Sequence, residues 1–240
     1  MNIKFVISYD GSSYQGSQKQ PNGQTIENKL LKAFKRINID TKIILSGRTD
    51  KEVHATGQVF NCIIPSFWQD LEKLKLVINR NLPSSIKIRY VRKVNDDFHS
   101  RFHAKRRVYR YIITTKETNP FNEKYITYVP SINEDLLKKA IKEFIGVFDF
   151  KYFHKMGSDK DITVREVFDT CFYKYKDIYV FKFVANSYLR SQIRLMVGFL
   201  LKISEEKLTI DDLKEQLNLK KHCSKFPAIA NGLYLSKVTY

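Results

Sequence analysis

The sequence predicts an α+β fold built from two ferredoxin-like halves, each with an antiparallel sheet. Short segments in which apolar and polar residues alternate are typical of half-buried strands. Between them lie segments with apolar residues three and four positions apart, as in amphipathic helices. In the first half these segments follow each other as strand, helix, strand, strand, helix, strand, the βαββαβ order. The second half repeats this order without obvious sequence similarity, and we expect a central cleft between the halves to hold the functional site.

The first half is predicted to span residues 1–104. Thr25 is a good cap for its first helix, and Ser66 with Gln69 forms a capping-box pattern for its second. Strands and helices are expected, in order, at 3–9, 26–37, 42–47, 57–64, 66–78 and 86–90. Residues 95–105 are polar and aromatic and form a plausible linker to the next half.

The second half is predicted to span residues 105–240. Its elements are expected at 107–114, 133–145, 164–175, 178–185, 187–203, 210–217 and 233–240. Within the first of these strands Tyr109 and Tyr111 share one face, because side chains alternate along a strand. Tyr111 is predicted to lie in the core. Arg190 and Arg194 are four residues apart and are expected on one face of the helix at 187–203.

The composition favours a polyanionic partner. Forty-two Lys and Arg residues against 25 Asp and Glu give the 240-residue chain a formal net charge of +17 and a pI near 9.6. Such a charge attracts nucleic acid and accelerates association with it. A generally lysine-rich composition is the alternative explanation.

The cysteines and the apolar segments indicate the compartment. Cys62, Cys171 and Cys223 lie far apart, without the spacing of a zinc site or a disulfide framework. The chain begins directly with an alternating strand, with no signal peptide, and no apolar segment approaches membrane-spanning length. These features predict a soluble cytoplasmic protein that makes no membrane contact.

The connection between the strands at 42–47 and 57–64 is the most informative segment of the chain. Arg48 stands two residues before Asp50, so that a permanent cation and a potential nucleophile share one short loop. From chemistry alone, a solvated polar loop is an equally good interpretation.

Gly47-Arg48-Thr49-Asp50, followed by Val53-His54-Ala55 and Gly57-Gln58-Val59, resembles the signature of the tRNA pseudouridine synthase A family. The resemblance implies that Asp50 is the catalytic nucleophile and that Arg48 assists in flipping the target base. It also implies substrate binding by Thr49, His54 and Gln58. Two positions depart from the family pattern. Glu52 stands where the family usually has glycine, which would strain a backbone of positive φ, and Ser17 stands where it commonly has tryptophan.

Four later segments extend the resemblance over almost the whole chain. Arg106-Arg107-Val108-Tyr109-Arg110-Tyr111 matches a motif whose first tyrosine is catalytic, which implies this role for Tyr109. Tyr188-Leu189-Arg190, followed by Ile193-Arg194 and Val197-Gly198, matches a motif whose second arginine pairs with the catalytic aspartate, which implies Arg194. Thr163-Val164-Arg165 and Gly232-Leu233-Tyr234-Leu235 match two further elements, which implies substrate binding by Arg165 and Leu233.

The resemblance implies an isomerase that converts uridine to pseudouridine in the anticodon stem-loop of tRNA, at positions 38, 39 and 40. Asp50 attacks a flipped uridine, the glycosidic C–N bond breaks, the uracil rotates, and a C–C glycosidic bond replaces it. No cofactor and no metal are needed. The family is typically a homodimer, so we expect tRNA and a second copy as partners.

A non-catalytic RNA-binding protein with two RRM-like sheets is the alternative hypothesis. The candidate stacking strand at 177–183 has no glycine of the kind that such a motif uses, which favours the enzyme. In the linker, His99 and His103 have a spacing that two metal ligands can share, but no carboxylate motif accompanies them. Phe98 and Phe102, with Arg101 and Lys105, are better suited to a surface that faces nucleic acid.

Overall fold

The computed structural model describes residues 1–21, 23–155 and 162–240. They form two compact units, one of Met1–Lys105 with Tyr234–Tyr240 and one of Arg106–Leu233. The strands are β1 (Asn2–Tyr9), β2 (Ile44–Leu45), β3 (His54–Ile63), β4 (Ile86–Lys93), β5 (Arg106–Thr114), β6 (Thr127–Tyr128), β7 (Gly146–Asp149), β8 (Val164–Tyr175), β9 (Ile178–Ala185) and β10 (Leu233–Thr239). The helices are α1 (Ile26–Arg36), α2 (Leu71–Asn81), α3 (Glu134–Ala140), α4 (Gln192–Ser204) and α5 (Ile210–Leu217), with 3₁₀ turns at Ile141–Phe144 and Phe150–Phe153.

The first unit has the predicted order of two helices and four strands. Its strands pair antiparallel in the order β4-β1-β3, and β2 joins the other side of β3. The rings of Phe5, Phe34 and Phe60 are fully buried and contact one another, so that they form the core between the sheet and α1. The α+β class is therefore confirmed at this level.

The last strand differs from the predicted division of the chain. Residues 105–240 were expected to form one half, but Tyr234–Tyr240 group with the first unit. The reason is a parallel pairing of β10 with β3, in which Tyr234 lies opposite His54 and Leu235 opposite Ala55.

Helix α2 begins later than predicted. The expected capping box of Ser66 and Gln69 is wrong, because Asp70 is the cap and its Oδ1 accepts the amide of Lys73 at 2.9 Å. Residues 66–69 instead continue a turn in which the amide of Trp68 donates to the carbonyl of Pro65 at 3.3 Å. For α1 the prediction is confirmed, since Thr25 Oγ1 accepts the amide of Asn28 at 3.2 Å.

The second unit contains an antiparallel sheet in the order β5-β9-β8-β7, with β6 parallel to β5. Tyr111 is fully buried, as predicted, and its hydroxyl donates to the carbonyl of Ile229 at 2.8 Å. The predicted helix at 133–145 is α3 followed by a 3₁₀ turn, and the short strand β7 has no counterpart among the predicted elements.

Helix α4 begins five residues after the predicted start at Ser187. Ser191 has a φ of 58°, which a continuing right-handed helix excludes, and Gln192 is the first helical residue. Arg190 therefore lies before the helix, and the expectation that it shares a helical face with Arg194 is wrong. Within the described residues, no helix is long and apolar enough to cross a membrane.

Candidate active site

The loop between β2 and β3, residues 46–53, is fixed at its beginning by one buried side chain. The amide of Ser46 donates to the carbonyl of Val59 at 2.8 Å, which closes the base of the loop. Gln58 is fully buried, and its Oε1 accepts the Ser46 hydroxyl at 2.6 Å while its Nε2 donates to the carbonyl of Gly47 at 2.9 Å. Gln58, predicted as a substrate-binding residue, thus uses both ends of its amide to hold the loop.

The middle of the loop is held at Thr49, the residue before Asp50. The amide of Thr49 donates to Ser17 Oγ at 2.8 Å, and the amide of Ser17 donates back to the carbonyl of Thr49 at 3.1 Å. The Thr49 hydroxyl hydrogen-bonds with that of Tyr9 at 2.8 Å. Burial raises the pKa of Tyr9 to about 12, although hydrogen bonds with Thr49 and Gln58 act in the opposite direction. Tyr9 is therefore an uncharged phenol at ordinary pH, and it holds Thr49 through a hydrogen bond.

These ties leave Arg48 and Asp50 on either side of a buried residue. Thr49 is buried, whereas Arg48 is exposed and Asp50 is half-buried. The carbonyl of Asp50 accepts the amide of Val53 at 3.2 Å, which closes a turn directly after the carboxylate. The backbone that carries Asp50 is thus hydrogen-bonded on both sides, an arrangement that limits the motion of a nucleophile.

Glu52 occupies the strained position of this turn. Its φ is 66°, in the left-handed region where a side chain costs about 1–2 kcal/mol. Its amide donates to the carbonyl of Tyr14 at 3.2 Å, and its half-exposed carboxylate lies 3.3 Å from Lys51 Nζ. An exposed ion pair of this kind offsets little of the strain. The sequence-based argument that this position favours glycine is supported by the observed φ.

His54 joins the end of the loop to the end of β1. The ring is 1% exposed, its Nδ1 accepts the amide of Gly11 at 2.9 Å, and the ring of Tyr234 stacks on it at 4.8 Å between centroids. Since Nδ1 accepts from Gly11, we assign the neutral tautomer with the proton on Nε2, although Asp10 Oδ1 also lies 3.3 Å from Nδ1. A Cβ at position 11 would lie 2.1 Å from the carbonyl oxygen of Val53, so only glycine permits this approach.

In the second unit, Tyr109 lies on β5 with 7% of its surface exposed. Its ring meets that of Tyr188 edge to face, with centroids 5.2 Å apart at 82°. The buried Tyr188 hydroxyl has no hydrogen-bond partner among the described residues, and burial raises the pKa of Tyr188 well above its usual value. Tyr109 is thus packed against a neutral, buried phenol.

Arg194 lies in the first turn of α4 and is held by the segment 226–228. Its Nε donates to the carbonyl of Ala228 at 2.7 Å, and the amide of Ala228 donates to the carbonyl of Arg194 at 2.8 Å. Gly198, one turn further along the helix, makes this approach possible. A Cβ there would lie 2.2 Å from the carbonyl oxygen of Phe226 and 3.0 Å from the amide nitrogen of Ala228.

Arg165 and Leu233 are both buried, with 6% and 5% of their surfaces exposed. An Arg165 terminal nitrogen donates to the carbonyl of Ile162 at 3.0 Å, while its buried Nε has no partner in the described part of the chain. Burial lowers the pKa of this guanidinium. Leu233 begins β10, and its amide donates to the carbonyl of Ala230 at 2.9 Å.

The predicted site residues thus fall into two groups. Arg48, Thr49, Asp50, His54 and Gln58 lie together on the loop and the adjoining strand of the first unit. Tyr109, Arg165, Arg194 and Leu233 belong to the second unit. Tyr9 and Ser17 support the loop but were not predicted, because their contacts with Thr49 join residues 40 and 32 positions apart.

Groups with metal-binding chemistry make other contacts in the described residues. His99 Nδ1 accepts the amides of Arg101 and Phe102, each at 3.2 Å. One trio, Asp212, Glu215 and Cys223, has ligand atoms within 4.8 Å of one another. In that trio the Asp212 carboxylate already accepts the amide and the hydroxyl of Thr209, at 2.9 and 2.8 Å, as part of the α5 capping box.

Comparison with known proteins identifies the family that the motifs indicate. The family model for tRNA pseudouridine synthase matches residues 5–103 and 140–240. The chain belongs to the tRNA pseudouridine synthase family. Its members isomerise uridine in tRNA to pseudouridine, and this chain is such an isomerase.

Three curated relatives illustrate the similarity, and each is named tRNA pseudouridine synthase A. The protein of Campylobacter jejuni subsp. doylei is 39% identical over 240 residues, with both chains fully covered. That of Helicobacter hepaticus is 38% identical over 244 residues, covering 99% of this chain and 98% of its own. That of Streptococcus agalactiae is 36% identical, covering 99% and 94%. The non-catalytic RNA-binding hypothesis is therefore not favoured.

Proposed function

We propose that Asp50 is the nucleophile of this tRNA pseudouridine synthase. The observation that carries the proposal is the fixed backbone around Asp50. Ser17, Gln58 and Tyr9 hold the residues before it, and the amide of Val53 closes the turn after it. A nucleophile whose surroundings are already ordered reacts without first losing conformational freedom. Its carboxylate forms a covalent bond to the flipped nucleotide while the glycosidic C–N bond breaks. After the uracil turns, its C5 bonds to C1′ of the ribose, the bond between the nucleotide and Asp50 breaks to restore the carboxylate, and the proton lost from C5 is balanced by one gained at N1.

The other site residues receive roles in the same reaction. Arg48 is exposed beside Asp50, so its long planar side chain is suited to fill the gap that an extruded base leaves. Tyr109 supports proton transfer at the uracil. Arg194 takes the role of the arginine that pairs with the catalytic aspartate, as its motif implies. Thr49, His54 and Gln58 hold the backbone around Asp50 in the shape that receives the substrate. Arg165 and Leu233 bind the substrate from the second unit.

The proposed substrate is the anticodon stem-loop of tRNA, at positions 38, 39 and 40. The formal charge of +17 supports a strong, salt-dependent attraction to RNA phosphates.

We place the enzyme in the cytoplasm, where tRNA is modified, and we propose that the reaction uses neither a metal nor a cofactor. We also propose that the ferredoxin-like arrangement describes both halves of the chain.

We further propose that the enzyme is a homodimer. Strand β7 is an end strand of the second unit's sheet and carries exposed apolar side chains. Val147 is 64% exposed, and nearby Ile145 and Val164 are 40% and 47% exposed. An apolar sheet edge of this kind is a suitable surface for a second copy. Light scattering should give twice the chain mass of 28.3 kDa, and a monomer at micromolar concentration would contradict the proposal.

Asp50→Asn tests the nucleophile. The substitution is nearly isosteric, so tRNA affinity should be unchanged or slightly higher, because one negative charge is lost. Turnover should fall by about a thousandfold or more, since an amide does not replace the carboxylate as a nucleophile. The measurement is a map of pseudouridine in purified tRNA after incubation with enzyme in the presence of a chelator.

Asp70→Asn is the matched control, because Asp70 caps α2 in the same unit and has no proposed role in catalysis. Wild-type turnover by Asp50→Asn would disprove the nucleophile assignment.

Activity that requires one added divalent ion would disprove metal independence. In a double-mutant cycle, Arg194→Ala should add little to the loss from Asp50→Asn, because residues that act as a unit are not additive.

A further inference from the structure

A stacked cluster of three side chains stands on the surface of the first unit, in the linker that follows β4. It consists of His99, Arg101 and Phe102, and we refer to it as the 99–102 cluster. The rings of His99 and Phe102 stack with centroids 4.2 Å apart at 25°, and the Arg101 guanidinium carbon lies 5.7 Å from the Phe102 centroid. Phe102 nevertheless keeps 73% of its surface exposed. An aromatic ring that is supported by a neighbouring ring and still mostly open to solvent is suited to stacking.

The cluster is preformed by its own hydrogen bonds. His99 Nδ1 accepts the amides of Arg101 and Phe102, and the amide of His103 donates to the carbonyl of His99 at 3.0 Å. Between them, fully buried Ser100 attaches the turn to the sheet, since its amide donates to Asn61 Oδ1 at 2.9 Å and its carbonyl accepts the Tyr240 hydroxyl at 2.9 Å. A ligand that binds there pays little ordering entropy, because the turn is already closed.

Phe98, in the same linker, packs against the first unit and contrasts with the exposed Phe102. It is half-buried, its ring lies 4.9 Å from that of Tyr240, and Lys4 Nζ lies 5.7 Å from its centroid. Its carbonyl accepts the side-chain amides of Asn2 and Asn61. The sequence predicted that both Phe98 and Phe102 face nucleic acid. Of the two, only Phe102 has a ring exposed enough to stack on a base.

The surroundings of the cluster carry positive charge. Residues 87–105 contain six Lys or Arg residues (Lys87, Arg89, Arg92, Lys93, Arg101 and Lys105) and two carboxylates (Asp96 and Asp97). Beside the turn lies a cavity of about 320 Å³, lined by Arg92, Lys93, Asn95, Asp97, Phe98 and His103 among others. A stacking ring next to a basic concave surface is the combination that binds a base together with its phosphate.

We propose that Phe102 stacks an unpaired base of the tRNA, with Arg101 beside the ring and Arg92 and Lys93 near the backbone phosphates. The proposal rests on the proposed function, since it places part of the tRNA substrate on the first unit at a surface separate from Asp50. It predicts that the enzyme distinguishes RNA with unpaired bases from a continuous duplex at this surface, because a paired base has no free face for Phe102.

The test is the dissociation constant of Phe102→Ala for folded tRNA, measured by fluorescence anisotropy at fixed salt. We expect binding to weaken roughly 5- to 150-fold, the range that base stacking on an aromatic ring is worth. Phe102→Trp should retain near wild-type affinity, because indole also stacks. Phe121→Ala is the matched control, since Phe121 is 89% exposed and lies in the other unit. For an RNA duplex of equal length, Phe102→Ala should bind as the wild type does.

Each other outcome overturns the proposal. Unchanged tRNA affinity in Phe102→Ala removes the stacking role, and an equal loss for tRNA and duplex indicates a general surface effect. A loss in Phe102→Trp as large as in Phe102→Ala removes the need for an aromatic ring. If light scattering shows that Phe102→Ala changes the number of chains in the assembly, the cluster is a contact between protein chains. Failure of the proposed function is recognised separately, because the wild-type enzyme would then form no pseudouridine.

Discussion

The loop that carries Asp50 and the helix turn that carries Arg194 are fixed in opposite ways. Around Asp50, buried side chains reach the backbone: Ser17 binds Thr49, and Gln58 binds Gly47. Around Arg194, a backbone segment approaches the helix directly, and it does so because position 198 has no side chain. The loop around Asp50 therefore depends on the side chains of Ser17 and Gln58, whereas the helix turn around Arg194 depends on the lack of a side chain at Gly198.

This difference explains how each region responds to local strain. The loop accepts Glu52 at a φ of 66° because several hydrogen bonds determine its path at once. At Gly198 the obstacle is a carbonyl oxygen 2.2 Å from the position of a Cβ, and backbone atoms cannot yield as a flexible side chain can. We therefore expect substitutions at these positions to differ in both the size and the sign of their effects.

Gly198→Ala should have the largest effect. Alanine stabilises an ordinary helix interior by about 1 kcal/mol relative to glycine, so propensity alone predicts a gain. The added methyl group must instead displace the segment 226–228, which should lower the free energy of unfolding by roughly 1–3 kcal/mol. The same displacement moves the carbonyl of Ala228 that holds Arg194 Nε, so turnover should fall as well.

Urea unfolding and single-turnover assays measure the two effects. Lys214→Ala, in the middle of α5, is the control and should change stability by less than about 0.5 kcal/mol. A higher urea midpoint for Gly198→Ala would show that helix propensity prevails and that the close approach matters little.

Ser17→Ala should have a similar effect on stability but should displace no backbone segment. It leaves the buried amide of Thr49 without its acceptor, which costs about 1–3 kcal/mol. Because Thr49 precedes Asp50, the loss should appear in kcat more than in tRNA affinity. Ser13→Ala, at an exposed position in the same segment, provides the control. Normal kcat in a folded Ser17→Ala enzyme would mean that Tyr9 and Gln58 suffice to hold the loop.

Elements whose signals are local could be predicted from the sequence. The alternation in β1 and the cap at Thr25 are properties of neighbouring residues. The structure has the cap, whereas β1 alternates only from Phe5 onward, since Asn2 and Lys4 are buried as well. The start of α4 was not predictable, because it depends on the left-handed φ of Ser191, and serine is not a residue that signals such a conformation. Asp70 likewise replaced the expected cap of α2, since two overlapping capping patterns compete there.

The candidate site shows the same limit. The motif around Asp50 located the loop, but its supports come from distant segments that no local pattern connects. Ser17 offers no signal for its contact with Thr49, because a small polar residue in an irregular segment is compatible with many roles. Gln58 was predicted to bind substrate, whereas its side-chain amide holds Ser46 and Gly47.

Glu52→Gly should have the smallest effect, and its sign should be opposite. Glycine removes the cost of a side chain at a φ of 66°, but it also gives the unfolded chain more freedom, so the two contributions partly cancel. The ion pair with Lys51 joins an exposed side chain to a half-exposed one and adds little. We expect the free energy of unfolding to rise by about 0.5–1 kcal/mol, measured by urea unfolding. Glu52→Ala removes the same carboxylate while keeping Cβ, so it should show no such gain, and the difference between the two variants isolates the backbone strain. If Glu52→Gly is less stable than the wild type while Glu52→Ala is not, the turn gains more from a restricted backbone than it loses to the left-handed conformation.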